Sequence, residues 1–410
     1  MKKNKNILII APYGFNDRMS NFVEFVLARL LAKNNWEVHA IAMSESNQNS
    51  LNKIYNINIT KYKNIFAGIF YLTKIILLKR PNIAHIHNLR NNRLGIIAAI
   101  FLKFLRIKII FTEYGLLHDH YLVSDRDNPF PIKINPIGLV FSLKQVLSKK
   151  ANLKYKIKNY LFHWPLTHAD EIVFVSKHNV PIAKELGLKN VHYLPQILDN
   201  VRWEFKKTDA NKNMDSQSKK ALEKLYEIKE KKYVLFIGQL KLRKGWDVFL
   251  NSIKYVDKNI IPYFAIVTST DNKEPHFFSE MVDKLNVRDR LIFFGKIFNS
   301  EVLQKIFEQS EAVVVPSRYE GFGLVVTESW EMKKPLIATD IIAINENVEH
   351  KKNGLLFEKE NAEDLAKKII ELVKNNELKN RLIVNGSQTL GVYKSIDRQK
   401  QWLDFYDSLI

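Results

Sequence analysis

Val313-Val314-Val315-Pro316-Ser317-Arg318-Tyr319-Glu320-Gly321-Phe322-Gly323-Leu324-Val325-Val326-Thr327-Glu328 reads as a buried strand, a glycine-containing loop and then a helix. Gly321 and Gly323 let backbone N–H groups turn toward a ligand, and the helix N-terminus that follows adds partial positive charge. Such a passage makes an anion site suited to a diphosphate. Glu320 sits in the loop and Glu328 within the helix, so both can face one cleft at different depths. A carboxylate at 328 can accept hydrogen bonds from vicinal ribose hydroxyls. One at 320 can bind sugar hydroxyls or a positive charge developing at an anomeric carbon. Either glutamate alone would read as a solvated charge; the strand, the Gly-x-Gly and the helix around them point to function.

The same alternation runs outward in both directions. Toward the amino terminus, strands are expected at Asn6–Ile10, Glu37–Ala42, Ile83–His87, Lys108–Thr112, Ile172–Val175 and His192–Leu194, with helices at Asn21–Ala32, Asn64–Lys79 and Arg93–Leu105. Lys206–Lys220 is polar with little to bury and reads as a linker or surface insertion, running into a helix at Ala221–Lys229. Beyond it the alternation restarts. Strands fit Tyr233–Ile237, Phe264–Val267, Leu291–Phe294, Ala312–Val315 and Leu336–Ala338. Helices fit Val248–Ile253, Phe277–Leu285, Glu301–Glu308, Thr327–Met332, Ala362–Lys374 and Arg398–Leu409. The fold class is therefore α/β, with two doubly wound Rossmann-like domains facing across a cleft at the carboxyl ends of their strands. No G-x-G-x-x-G follows the first strand, which weakens a dinucleotide-binding reading. The single glycine of that loop, Gly14, fits a plain turn or a backbone approach to a ligand equally well.

Length and composition agree. The chain has 410 residues, enough for two domains or more, and its 46% hydrophobic content excludes wholesale disorder. With no cysteine, disulfides, zinc–thiolate sites and a cysteine nucleophile are excluded. The net charge of +20 points to an anionic partner: nucleic acid, an acidic membrane or a phosphorylated substrate. Ile65–Leu78 and Leu94–Phe111 are strongly apolar, but lysines and arginines interrupt both, so neither is expected to span a bilayer.

Glu320-Gly321-Phe322-Gly323, with Glu328 eight positions after Glu320, resembles the E-x7-E motif of retaining glycosyltransferases of the GT-B fold, specifically glycosyltransferase family 4. The likeness continues from Glu328 through Trp330, Pro335 and Asp340 and ends near Asn353-Gly354-Leu355-Leu356. Upstream, Gly238-Gln239-Leu240 and Arg243-Lys244-Gly245 resemble the family's G-R-L and K-G element. The resemblance is specific over roughly Tyr233–Phe357 and only topological before that. It implies a donor-binding domain over residues 201–390, an acceptor-binding domain over 1–200, and a carboxyl-terminal helix over 391–410 that crosses back to the first. It also implies that Lys244 contacts the donor diphosphate with help from amides around Phe322, Gly323 and Leu324, that Glu328 binds the nucleotide ribose, and that Glu320 binds the transferred sugar. No metal cofactor is expected; the nucleotide-diphosphate sugar is a substrate. The family usually has arginine where Gln239 stands; either Arg243 or another basic side chain compensates or donor affinity is weaker, and compensation is the expectation. Thr112-Glu113-Tyr114-Gly115 occupies the strand end where the family often has a histidine before glycine. Tyr114 replaces it, which leaves His118, with His120 close behind, as the candidate cleft histidine or as an ordinary surface-loop residue. Of His85 and His87, one is expected to be a hydrogen-bonded core histidine, while His87 or Asn88 at the strand end can see the cleft.

Asp125-Arg126-Asp127 matches a D-x-D metal motif, but it lies in a polar loop and reads as chance. His163 and His168 lack metal-ligand spacing with a carboxylate. Six lysines between Lys144 and Lys158 alternate with apolar residues, a pattern that can lie flat on an anionic bilayer, and the helices at Asn64–Lys79 and Arg93–Leu105 can add to that face. The expectation is a cytoplasmic protein, peripheral on the inner membrane face, whose acceptor is a glycan or lipid-linked glycan. Nucleic acid is not an expected partner, since no stacking groove or recognised module is present. Two rival readings are a non-catalytic nucleotide- or glycan-binding protein and another GT-B enzyme such as a nucleotide-sugar epimerase.

Overall fold

A computed structural model describes residues 5–11, 15, 23–44, 50–88, 92–114, 163–199, 214–228, 231–270, 274–297 and 299–410. The chain forms two compact units, Met1–Arg202 together with Tyr393–Ile410, and Trp203–Val392.

The first unit is built on strands β1 (Asn6–Ile10), β2 (Glu37–Met43), β3 (Ser50–Ile54), β4 (Ile57–Tyr62), β5 (Ile83–His87), β6 (Lys108–Glu113), β7 (Glu171–Phe174) and β8 (Val191–Tyr193). Their order in the sheet is β3-β4-β2-β1-β5-β6-β7-β8. All pairs are parallel except β3 with β4. Helices α1 (Val23–Lys33), α2 (Ile65–Lys79), α3 (Arg93–Phe104) and α4 (Asn179–Glu185) connect them. Parallel central strands are covered on both faces, so their side chains are apolar on both. One face packs Leu8, Ile86 and Phe111 against Leu72 and Ile76 of α2 and Leu94 and Leu102 of α3. The other packs Ile7, Ile9 and Val38 against Phe25 and Leu27 of α1 and against Trp402 and Tyr406. The chain winds outward in both directions from β1, which makes the carboxyl ends of β1 and β5 a topological switch point.

The second unit holds strands β9 (Tyr233–Ile237), β10 (Tyr263–Val267), β11 (Leu291–Gly295), β12 (Ala312–Val315), β13 (Leu336–Thr339) and β14 (Leu355–Phe357), all parallel, in the order β11-β10-β9-β12-β13-β14. Its helices are α5 (Ser216–Glu227), α6 (Trp246–Ser252), α7 (His276–Leu285), α8 (Ser300–Gln309), α9 (Leu324–Glu331), α10 (Ala362–Lys374) and α11 (Asn376–Tyr393). Here the switch point falls between β9 and β12, paired through Leu235↔Val313 and Phe236↔Val314. A last helix, α12 (Ile396–Asp407), belongs to the first unit. There Trp402 donates its indole N–H to the Pro195 carbonyl at 2.8 Å, and Lys5 pairs with Asp407 at 2.8 Å.

Several elements differ from the sequence reading. The β3–β4 hairpin was not anticipated. Its two-residue turn is Tyr55-Asn56, with φ of 51° and 62°, a left-handed pair usually supplied by Asn-Gly. Ser216–Lys220 is helix, not linker, because Asp215 caps α5 by accepting hydrogen bonds from the N–H groups of Gln217 and Ser218. Helix α9 begins at Leu324 rather than Thr327, directly after Gly323. Helices α4 and α11 and strand β14 are additions.

Candidate functional site

The loops that leave β9 and β12 meet at the second unit's switch point. After Ile237, the Gly238 N–H donates to the Val267 carbonyl at 3.0 Å, Gln239 is exposed, and Leu242–Lys244 form a single 3-10 turn. Gly245 closes that turn with φ of 68°, and a Cβ there would lie 1.7 Å from the Pro316 carbonyl oxygen. Only glycine lets the two loops approach this closely. Arg318 holds them together: its guanidinium donates to both Asp247 oxygens at 2.7 Å, to the Leu242 carbonyl at 2.6 Å and to Glu360. Its backbone N–H donates to the Arg243 carbonyl at 2.8 Å.

Within that frame Lys244 Nζ lies 2.5 Å from Glu320 Oε1, and Arg243 lies 3.6 Å from Oε2. Ser317 donates its hydroxyl to Oε1 at 2.7 Å. Burial would raise the Glu320 carboxyl, but the charges of Lys244 and Arg243 and the hydrogen bonds from Lys244 and Ser317 outweigh it and hold the group below the ordinary carboxylate range. Glu320 is thus a carboxylate at neutral pH and suits charge stabilisation or hydroxyl binding, not proton donation. Gly323 carries φ of 80° and leads into α9, and among the described residues no side chain caps the helix. The Val326 N–H already donates to the Gly323 carbonyl at 2.9 Å, so the amides of Leu324 and Val325 are the first-turn groups that face no intrahelical acceptor and suit an anionic ligand. Phe322 is buried, Gly321 and Leu324 are half-buried, and Glu328 is buried in the second turn of α9. A nearby cavity of about 470 Å³ is lined by Asp247, Glu358, Glu360 and Glu363 against Arg318 and Lys359. That excess of carboxylates makes it a poor place for a diphosphate.

The structure thus brings Lys244, Arg243 and Glu320 into contact beside Gly321–Leu324, with Gly238 and Gln239 at the end of β9. Gly14, His118, His120, Asp125–Asp127 and the Lys144–Lys158 stretch lie outside the described residues. Sequence reasoning missed Ser317 and the Arg318–Asp247 brace, and named Gly245 only as part of the K-G element. Ser317 and Arg318 stand in the decisive stretch itself, but only the folded loop shows where their side chains go.

In the first unit, His85 is the hydrogen-bonded core histidine: Nδ1 pairs with the Tyr406 hydroxyl at 2.6 Å and Nε2 with the Thr112 hydroxyl at 2.7 Å. His87, at the end of β5, shares a 2.5 Å hydrogen bond with the Tyr114 hydroxyl. Burial pushes His87 down to about 3, so it stays neutral. Its buried Nε2 has no hydrogen-bond partner among the described residues. Glu24, in the first turn of α1, is raised to about 7 by burial, which its own backbone hydrogen bond only partly offsets. Among the described residues no group of three or more His, Asp or Glu is arranged to hold a metal ion, and no helix is long and apolar enough to cross a membrane.

Comparison with known proteins gives consistent matches in both units. Residues 25–200 match the family described as Glycosyltransferase Family 4, and residues 217–389 the family described as Glycosyl transferases group 1. An uncharacterized glycosyltransferase of Methanocaldococcus jannaschii is 30% identical over 274 residues, covering 67% of this chain and 69% of the relative. The N,N'-diacetylbacillosaminyl-diphospho-undecaprenol alpha-1,3-N-acetylgalactosaminyltransferase of Campylobacter jejuni is 24% identical over 348 residues, 84% of this chain and 82% of that protein. Among solved structures, sucrose-phosphate synthase from Thermosynechococcus elongatus matches with a TM-score of 0.72 at 17% identity, covering 99% of each chain. The architecture is that of the GT-B glycosyltransferases.

Proposed function

The chain belongs to glycosyltransferase family 4, and from that premise we propose that it is a retaining transferase moving a sugar from a nucleotide-diphosphate donor to a glycan or lipid-linked glycan acceptor. The observation that carries this reading is the Lys244–Glu320 pair, assembled at the ends of β9 and β12 beside the uncapped start of α9. When the bond between anomeric carbon and diphosphate breaks, negative charge grows on the leaving group. Lys244, Arg243 and the amides of Phe322, Gly323 and Leu324 supply fixed positive charge for it. Glu320, an ionised carboxylate, faces the positive charge that develops on the sugar or accepts its hydroxyls. Glu328 accepts from the ribose hydroxyls. Gln239 donates hydrogen bonds but adds no charge, so Arg243 supplies the second cation. No resident metal enters this scheme. The transferred group is a hexose-type sugar, and the pathway is assembly of a bacterial-type surface polysaccharide or glycolipid. In this reading the enzyme works from the cytoplasm on the inner membrane face, where a lipid-linked acceptor is presented; the undecaprenol-linked substrate in the name of the C. jejuni relative supports that choice.

The test is transfer itself. Purified protein is incubated with a panel of nucleotide sugars and polyprenyl-diphosphate glycans, and products are read by mass spectrometry and NMR. Acceptor-dependent nucleotide release with the donor's anomeric configuration kept is expected. An inverted product removes the retaining assignment, and donor binding without turnover on any acceptor favours a non-catalytic binder.

A further inference from the structure

From Ser46 to Thr112 the chain contains no Asp or Glu but eleven Lys and Arg, and α2 and α3 both lie in that span. The two helices pack side by side on one face of the first unit's sheet: a Cβ at Gly68 of α2 would lie 3.3 Å from Leu94 Cδ1 of α3. Inward, α2 buries Gly68, Leu72 and Ile76. Outward, at the matching helical spacing, it shows Phe66, Phe70, Leu77 and Leu78, with Phe66 80% exposed. Helix α3 adds Ile100, Phe101 and Phe104. Phe104 is 87% exposed. A helix that is apolar all round is normally buried on all sides, and α2 is not. Lys79 reaches Glu37 at 3.5 Å and Lys103 reaches Asp170 at 3.1 Å. Lys74, Arg80 and Arg106 stand exposed with no carboxylate in salt-bridge reach among the described residues.

We propose that the outer face of α2 and α3 is a docking surface for an anionic lipid bilayer. Its phenylalanines and leucines enter the headgroup–acyl boundary, and Lys74, Arg80 and Arg106 pair with lipid headgroups. Two features single out a bilayer over a protein partner. Protein interfaces are depleted in lysine at their cores, whereas interfacial helices combine basic flanks with Phe and Leu on the apolar face. An unbroken basic span also matches a negatively charged leaflet, which attracts each basic residue near its surface. The inference deepens the proposed function and rests on it for the use of membrane docking; docking itself is measured without donor or acceptor.

The experiment is co-sedimentation of the full chain with vesicles of phosphatidylcholine alone or with phosphatidylglycerol, at low and high salt, alongside Phe66→Ser/Phe104→Ser and Lys74→Glu/Arg106→Glu double variants. All four positions are exposed, and circular dichroism and melting temperature check that the variants fold. The wild type is expected to pellet with the anionic vesicles and far less with neutral ones. Each double variant should weaken that partition tenfold or more, and salt should weaken it for the wild type. Failure of the wild type to pellet, equal binding to neutral vesicles, or undiminished binding by both variants overturns the proposal. So does a phenylalanine variant that only converts a dimer to a monomer, because the face would then be a protein interface. Vesicle binding without any sugar transfer would instead sink the proposed function and leave the docking surface standing.

Discussion

At Glu320 burial and charge pull in opposite directions, and the balance tells how the site works. The two cations and the Ser317 hydroxyl keep the carboxylate ionised, so its stabilising contribution is complete above the ordinary glutamate value of 4.5 and is lost as pH falls through the lower folded value. Glu320→Gln should flatten that acid-side loss in a melting-temperature series from pH 3 to 7; an unchanged profile would show that the pair does not couple to folding. Lys244→Ala should reduce kcat/KM by about 10²–10³-fold, the range seen when one preorganised group facing transition-state charge is removed. Lys244 is part-exposed and Glu320 keeps Arg243 and Ser317, so the fold should survive that change. Gly245→Ala should cost about 2 kcal/mol or more, read by urea unfolding, because the new methyl would meet the Pro316 carbonyl from a left-handed backbone. Glu320 stood out in sequence because a strand, a Gly-x-Gly and a helix surround it, and Lys244 only through its likeness to the family's K-G element. Gly245 was visible only as the glycine of the K-G element, since its contact is with a loop about 70 positions away.

Helix α1 carries the clearest element-scale signature in Glu24. A helix N-terminus favours a carboxylate, yet burial dominates and raises the group to about 7. A raised acid stabilises the fold when protonated, so this contribution is present below the ordinary value of 4.5 and falls as pH climbs toward 7. Glu24→Gln should therefore raise the melting temperature relative to wild type at pH 8, by on the order of 1–3 kcal/mol of stability, with the gap shrinking at pH 5. Helix α12 is held to the first unit by Trp402 and Tyr406, both fully buried. Trp402→Ala should cost about 3–5 kcal/mol, measurable by denaturant unfolding. The strands that sequence made legible are those buried on both faces, such as β1, β9 and β12, where an apolar run leaves no other reading. The β3–β4 hairpin hid behind Asn and Lys residues and a Tyr-Asn turn. Helix α11 hid behind Asn, Ser, Gln, Thr and two glycines, although a Cβ at Gly386 would lie 2.3 Å from Trp330, which requires the small residue.

Over the whole molecule, the alternation of strands and helices with a restart near Tyr233 was enough to give two doubly wound units, and the strand orders supplied the switch points that sequence could not. The charge of +20 divides in the same way. A small share at Arg243 and Lys244 meets Glu320 at the proposed donor site, and a larger share lies in the acid-free span around α2 and α3. In the proposed function a nucleotide-diphosphate sugar binds at Lys244. A thermal-shift titration of the full chain with nucleotide sugars tests it most directly, because a ligand that binds the folded state raises its stability by mass action. At least one nucleotide sugar is expected to raise the wild-type melting temperature in a saturable way, and Lys244→Ala to lose most of that shift. A shift of full size in the Lys244→Ala variant, or none with any nucleotide sugar, would contradict that expectation.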